Sequence, residues 1–288
     1  LFPEGPISVW VEAGGNAMTT KDQNIALITG ASSGIGAVYA DRLARRGYDL
    51  ILVARNKKRL SALARRLENE TRRTVQTVVA DLTVGDDLHR VEGILRTNPA
   101  VALLVNNAGL GAVAPLVEAD VNKMEGVIHL NVTALTRLTY AAVPGFVARG
   151  GGTVINIASV VAIAPERLNG VYGASKAFVL ALTQSLDHEL RAKNIRVQAV
   201  LPGATATEFW DIAGKPVHQL PSEIVMSAED MVDASLVGLD LGEVVTIPAL
   251  ADKAEWDRYE AARRAMSNRL SNAIPAPRYN IAVTRRTA

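Results

Sequence analysis

From residue 24 onward the chain alternates short, continuously apolar runs rich in β-branched residues with longer stretches whose apolar positions recur every three or four residues. The runs at 25–29, 50–54, 75–80, 101–106, 153–158, 195–201 and 244–247 read as strands. The stretches near 34–47, 57–70, 86–97, 120–149, 171–193 and 228–240 read as helices. Strand cores without polar alternation are buried on both faces, which requires a parallel sheet with helices above and below. Strand–helix repetition of this kind implies right-handed crossovers and a doubly wound α/β sheet.

No linker interrupts the pattern between 18 and 250, so one domain is expected there. Residues 251–288 supply a polar helix near 253–266 and a Pro-containing, Arg-rich end, expected to be mobile or to pack on a neighbouring subunit. Residues 1–17 contain no basic residue and no signal-like apolar core, and Met18 resembles a natural start. They are read as a leader or expression-derived extension. Two helices carry apolar residues around most of their circumference: 120–149, with Met124, Val127, Ile128, Leu130, Val132, Leu135 and Leu138, and 171–193, with the run from Phe178 to Leu182. Packing under loops explains this, and so does a homodimer or homotetramer interface built from the two helices.

Composition narrows the classes. Of 288 residues, 49% are hydrophobic and 21% charged, as in a globular protein with a large core. A net charge of +2, with basic residues scattered, gives no nucleic-acid footprint. No stretch reaches the ~18–20 apolar residues of a membrane span, so a soluble protein is expected. The absence of cysteine removes disulfide and thiolate chemistry and fits a cytoplasmic location. No two of the four histidines have metal-ligand spacing, so no metal site is expected.

The first strand leads into Thr29-Gly30-Ala31-Ser32-Ser33-Gly34-Ile35-Gly36, which opens the first helix. Glycines permit the sharp turn and close approach, and the helix N-terminus offers free N–H groups to a phosphate. A site selective for NAD carries an acid about 20 residues on, at the end of the second strand. Here the chain reads Ala54-Arg55-Asn56-Lys57-Lys58-Arg59. Asp49, the nearest acid, stands at the other end of the strand, about 16 Å away at ~3.3 Å per residue. Arg55 without an acid points to NADP(H) over NAD(H), although a basic run is also the ordinary solvated start of a helix.

Further positions complete a pattern: Asp81 after the third strand, Asn106-Asn107-Ala108-Gly109 after the fourth, Asn131 in the long helix and Ser159 after the fifth strand. Tyr172-Gly-Ala-Ser-Lys176 opens the next helix, and Pro202-Gly203 with Thr205 and Thr207 follows the sixth strand. In this order the chain resembles the short-chain dehydrogenases/reductases over residues 22–250. The resemblance implies a single-domain Rossmann-type fold with a mainly parallel seven-stranded sheet, a dimer or tetramer, and a catalytic centre of Ser159, Tyr172 and Lys176 with Asn131 as auxiliary. It implies cofactor contacts from Gly30, Ser32, Ser33, Gly34, Ile35, Gly36, Arg55, Asp81, Leu82, Asn107, Ala108, Gly109, Tyr172, Lys176, Pro202, Gly203, Thr205 and Thr207. By the same resemblance Asn131 holds a water that links Lys176 to solvent.

Elementary chemistry supports the centre. Tyr172 and Lys176 stand one helical turn apart on one face. A phenol titrates near ~10, and an ammonium ~4 Å away at an effective dielectric of ~20 favours the phenolate by roughly 4 kcal/mol, about three pKa units before desolvation. Ser159 at the carboxyl end of a central strand can bind an oxygen on which charge builds. Each feature has a plainer reading. Tyr-x-x-x-Lys is common on amphipathic helices, Ser159 can be a turn residue, and Asp81, Thr205 and Thr207 can be helix caps.

The segment 204–226 is expected to form a lid, with Phe209 and Trp210 as apolar walls and Val160, Val161, Ala162 and Leu168 completing a substrate pocket. Such walls favour a hydrophobic carbonyl or alcohol as the small-molecule partner. Arg167 or Glu208 adds a polar contact or faces water. Two functions remain in view: an NADP(H)-dependent oxidoreductase with Tyr172 as general acid/base, and a non-catalytic NADP-sensing or regulatory protein on the same fold.

Overall fold

A computed structural model describes residues 25–281. The leader read at 1–17, Met18 and the last seven residues of the Arg-rich end lie outside the described residues. Seven strands form one parallel sheet: β1 (Ile25–Thr29), β2 (Asp49–Ala54), β3 (Val75–Val79), β4 (Val101–Asn106), β5 (Gly152–Ile157), β6 (Ile195–Val200) and β9 (Val245–Thr246). Their spatial order is β3-β2-β1-β4-β5-β6-β9, every pairing parallel. The order reverses direction between β1 and β4, the switch point where open α/β sheets leave a crevice at the carboxyl ends.

Why the strands lack polar alternation is visible in the packing. On β1, Ala26 and Ile28 enter one core while Leu27 enters the other. On β2, Leu50 and Leu52 face the first core, and Ile51 and Val53 the second. Helices α1 (Gly34–Arg45), α2 (Lys57–Thr71) and α8 (Ala228–Asp240) cover one side. The other side is covered by α3 (Gly85–Thr97), α5 (Leu135–Ala148) and α6 (Gly170–Leu190). A side chain such as Leu27, wholly buried, contributes about 1.5–3 kcal/mol to the folded state.

Three expectations are adjusted. The stretch 120–149 is not one α-helix: α4 (Val121–Ile128) and α5 are joined by a π-helical segment, His129–Ala134. Wider turns of this kind leave the apolar spacing almost unchanged, so periodicity does not report them. The stretch 171–193 is α6 with a last turn, Arg191–Lys193, tightened to 3-10 geometry. Within 204–226 the chain forms β7 (Ala204–Thr205) and β8 (Val225–Met226), paired in a second small parallel sheet, with α7 (Phe209–Ala213) between them.

The described chain divides after Pro248 into two compact units. The first contains the whole sheet. In the second, α9 (Lys253–Met266) is capped by the Asp252 side chain and laced by the ion pairs Lys253–Asp257, Glu260–Arg263 and Glu260–Arg264. Among the described residues no helix is long and apolar enough to cross a membrane, and no cluster of His, Asp and Glu has the arrangement of a metal site.

Candidate active site

A cleft of about 570 Å³ opens at the carboxyl ends of the parallel strands. Its floor at one end is the turn between β1 and α1. Gly30 and Gly36 are required there by close approach. A Cβ on Gly36 would lie 2.4 Å from the Gly30 carbonyl oxygen, and one on Gly30 would lie 2.8 Å from the Asn107 amide nitrogen. Asn107 clamps this turn, donating from Nδ2 to the carbonyls of Thr29 at 2.9 Å and Gly30 at 3.2 Å. The Thr29 hydroxyl accepts the backbone N–H groups of Asn107 and Ala108, each at 3.0 Å. Asn107 thus shapes the cradle with its side chain. Ser33 precedes α1 without capping it through its hydroxyl, and the first turn carries no acid, so the helix N-terminus faces the cleft unneutralised.

Along the rim next to this turn lie Arg55, Asp81 and Leu82. Arg55 is largely exposed and stands 3.8 Å from Asp81. Burial pushes the Asp81 carboxyl up, but the Thr83 hydroxyl and N–H, with the Arg55 charge, bring it below the usual carboxylate range. Asp81 therefore organises its own turn, and α3 is preceded by Val84, so the capping reading of Asp81 does not hold. Asp49 sits at the opposite end of β2, bonded to the Thr74 N–H and paired with Arg73. No carboxylate belongs to the end of β2 itself.

The other end of the cleft holds Ser159, Tyr172 and Lys176. Asn169, directly before α6, accepts from the N–H groups of Val171 and Tyr172 and donates to the Ala114 carbonyl at 2.6 Å, which fixes the entry of the helix. Sequence reasoning missed Asn169, although an Asn at the start of a helical pattern is a recognisable cap. Ser159 donates to the Pro202 carbonyl at 3.4 Å and accepts from the Val161 N–H. Lys176 donates from Nζ to the Ile157 carbonyl at 2.8 Å, and Nζ lies 5.8 Å from the centre of the Tyr172 ring.

Electrostatics at this end differ from the sequence expectation. Burial pushes the Tyr172 phenol up to about 12, opposed by a hydrogen bond with Ser159. Burial also pushes the Lys176 ammonium down to about 8. Burial thus moves the phenol in the direction opposite to the one expected from a lysine one turn away.

Asn131, in the π-helical segment, is buried, and its side chain is committed to protein partners. Its Oδ1 accepts the Leu110 N–H at 2.8 Å, and its Nδ2 donates to the Leu110 carbonyl at 2.9 Å and the Ser175 hydroxyl at 3.1 Å. Ser175 in turn donates to the Tyr172 carbonyl at 2.8 Å. The apolar wall expected from Val160, Val161, Leu168, Phe209 and Trp210 lines the cleft, joined by Leu110, Ile212, Leu220 and Ile224. Ala162 does not line it, because the tight turn Val160–Ala162 rotates successive side chains by a third of a circle. The Trp210 indole donates to the Thr205 carbonyl at 3.1 Å, and the Phe209 ring stands 5.8 Å from that of Tyr172. Thr205 is buried, and its hydroxyl donates to the Gly203 carbonyl at 3.3 Å. Ser32, Gly34, Ile35, Ala108, Gly109, Gly203, Thr207 and Arg167 also line the cleft.

Several known proteins are similar to this chain in sequence and in fold. A short-chain dehydrogenase from Sphingobium yanoikuyae, solved in complex with NADPH, is 50% identical and superposes with a TM-score of 0.86, covering 89% of this chain and 99% of its own. The bulky-bulky ketone specific alcohol dehydrogenase from Comamonas testosteroni is 44% identical with a TM-score of 0.82, over 90% of this chain and 99% of its own. Very-long-chain 3-oxoacyl-CoA reductase-A from Danio rerio is 30% identical over 225 residues, 77% of this chain and 70% of its own length. The model of the short chain dehydrogenase family matches residues 24–216, which include the glycine turn, Asn131, Ser159, Tyr172 and Lys176, and this chain belongs to that family.

Proposed function

We propose that the protein reduces bulky, largely apolar ketones, and oxidises the corresponding secondary alcohols, with Tyr172 exchanging the proton at the substrate oxygen. It is an NADP(H)-dependent oxidoreductase. The residues at the cradle fit that cofactor: a turn closed to any side chain at 30 and 36, an uncapped helix start, and Arg55 where an acid would select NAD. When bound, the reduced nicotinamide supplies the hydride to the carbonyl carbon.

One observation carries the reading: Ser159, just after β5, and Tyr172 and Lys176, on α6, line the same cleft as the glycine turn. The chain's own groups then divide the work. The Tyr172 Oη holds the proton that the developing alkoxide takes, and its raised pKa keeps it a donor at neutral pH. Ser159 Oγ, freed from its long bond to Pro202, hydrogen-bonds the same oxygen. Lys176 holds positive charge beside the phenol and favours the phenolate once the proton has left. Asn131 acts as a positioning residue, bracing the first turn of α6 through Ser175. Gly30, Ser32, Ser33, Gly34, Ile35 and Gly36 receive the diphosphate, Arg55 the ribose phosphate, and Asp81 and Leu82 the adenine. Ala108, Gly109, Pro202, Gly203, Thr205 and Thr207 flank the nicotinamide.

Phe209, Trp210, Leu168 and Val161 leave the substrate side of the cleft predominantly apolar, which suits carbonyl compounds with large groups on both sides. Assembly as a dimer or tetramer through α4–α5 and α6 is supported by Ile128, Tyr140 and Phe178, large apolar side chains exposed on those helices.

The test is NADPH oxidation against a panel of aryl and cycloalkyl ketones, diketones and small polyol-derived ketones. Turnover of the bulky ketones, lost in Tyr172→Phe with NADPH binding retained, is the expected result. NADPH binding without turnover of any compound would favour a cofactor-sensing protein.

A further inference from the structure

Thr207, Glu208 and Phe209 are consecutive, yet each reaches a different part of the cleft. A Cβ on Gly34 in the phosphate turn would lie 3.0 Å from the Thr207 methyl. Phe209 packs so closely on Gly111 that a Cβ there would lie 2.3 Å from its ring, and it stands beside the Tyr172 ring. Between them, Glu208 Oε2 accepts a hydrogen bond from Arg59 Nη1 at 2.5 Å, a contact spanning 149 positions of sequence. Arg59 lies in the first turn of α2, where its N–H is held by the Asn56 cap. It lines the cleft on the same rim as Arg55.

This rim carries two guanidinium groups, Arg55 and Arg59, each facing one carboxylate, Asp81 and Glu208. Both members of the Arg59–Glu208 pair are about half exposed. Exposed pairs of this kind are weak, so either partner exchanges readily for a stronger one. A ribose 2′-phosphate carries up to two negative charges and several acceptor oxygens, which makes it the stronger partner for a guanidinium fork.

We propose that Arg59 is a specificity-determining residue that exchanges Glu208 for the 2′-phosphate of NADP(H), and that this exchange releases the 207–209 strap against the substrate wall. Glu208 is the internal competitor: it neutralises Arg59 when no phosphate is present and opposes phosphate capture electrostatically. NADH has no group to displace it, so the strap stays tied to α2. The identity of the cofactor is thereby transmitted over one residue to Phe209 and the ring of Tyr172. The inference rests on the NADP(H) reading of the cleft.

Fluorescence titration of the full chain with NADPH and NADH tests the exchange. Glu208→Gln is expected to tighten NADPH by about threefold to fivefold, as for loss of a weak exposed competitor, with NADH unchanged to within about twofold. In an Arg59→Gln background the same substitution should change neither. Hydrogen exchange supplies a second readout without turnover. Adenosine 2′,5′-bisphosphate should raise exchange at backbone amides 207–213 in the wild type but not in Glu208→Gln, and adenosine 5′-monophosphate should raise it in neither. Equal shifts for both cofactors, no shift for either, or amides indifferent to the bisphosphate would overturn the exchange. Wild-type protein that binds NADPH no more tightly than NADH would overturn the cofactor reading itself along with it.

Discussion

Lys176 directs its ammonium to the carbonyl oxygen of Ile157 at 2.8 Å, so the amine one turn from the Tyr172 phenol is anchored to the end of β5. That anchor couples the helix carrying the phenol to the central strand. It also fixes the distance at which positive charge acts on the ring.

Removing the phenolic hydroxyl isolates its role. Tyr172→Phe should lower kcat by about 10²–10⁴-fold, the usual range for a lost general acid, while NADPH binding changes little. Steady-state kinetics with a ketone from the active panel, beside a fluorescence titration, checks both halves. Retained turnover would remove Tyr172 from the chemistry.

Burial of Lys176 costs stability, and the cost depends on pH. Its pKa falls from 10.5 to about 8 on folding, so between those values the unfolded chain binds more protons than the native one. Stability from this group therefore rises as pH rises from 8 toward 10.5, and the penalty is full below 8. Lys176→Met should remove a penalty of at most about 3 kcal/mol, partly offset by the unpaired Ile157 carbonyl. At pH 7 its Tm should exceed the wild type's by roughly 4 °C, with the gap closing as the pH approaches 10. A melting series over pH 6–10 reads this out, and a lower Tm for the variant at pH 7 would contradict it.

Arg55→Asp restores an acid where an NAD-selective site carries one. NADPH affinity should fall by about tenfold or more, and the NADPH/NADH preference should move toward NADH. Dissociation constants for the two cofactors decide the matter. An unchanged ratio would take Arg55 out of the phosphate site.

Gly36→Ala pushes a methyl to within 2.4 Å of the Gly30 carbonyl oxygen. The turn cannot move without breaking the Asn107 clamp, so stability should drop by about 1–3 kcal/mol and cofactor affinity should fall with it. Thermal melts and cofactor titration of the variant measure the two effects. Undiminished affinity would show that the turn does not hold the cofactor.

Much of this was legible in the chain because it is written locally. A strand buried on both sides shows as an unbroken apolar run, and Leu27 between Ala26 and Ile28 is such a case. Tyr172 and Lys176 are four apart and need only a helix to share a face. Partners brought together by the fold were not legible. The commitment of Asn107 to Thr29 and Gly30 spans more than seventy residues, and the Arg59–Glu208 contact nearly twice that. The reversal of the expected Tyr172 shift has the same origin, since burial of a phenol depends on neighbours such as Val161 and Phe209 that no spacing rule supplies.

Part of the apolar wall comes from a stretch of chain separate from the one that carries the proposed reacting centre and the rest of the wall. Ser159 follows β5 and Tyr172 and Lys176 ride on α6, whereas Phe209, Trp210, Ile212 and Leu220 belong to the excursion that leaves β6 and returns at α8. Substitutions in that excursion can remodel which molecules are admitted while the proton-handling groups keep their footing on the sheet. A scaffold divided in this way lets selectivity drift through generations of change without each step first having to rediscover the reaction.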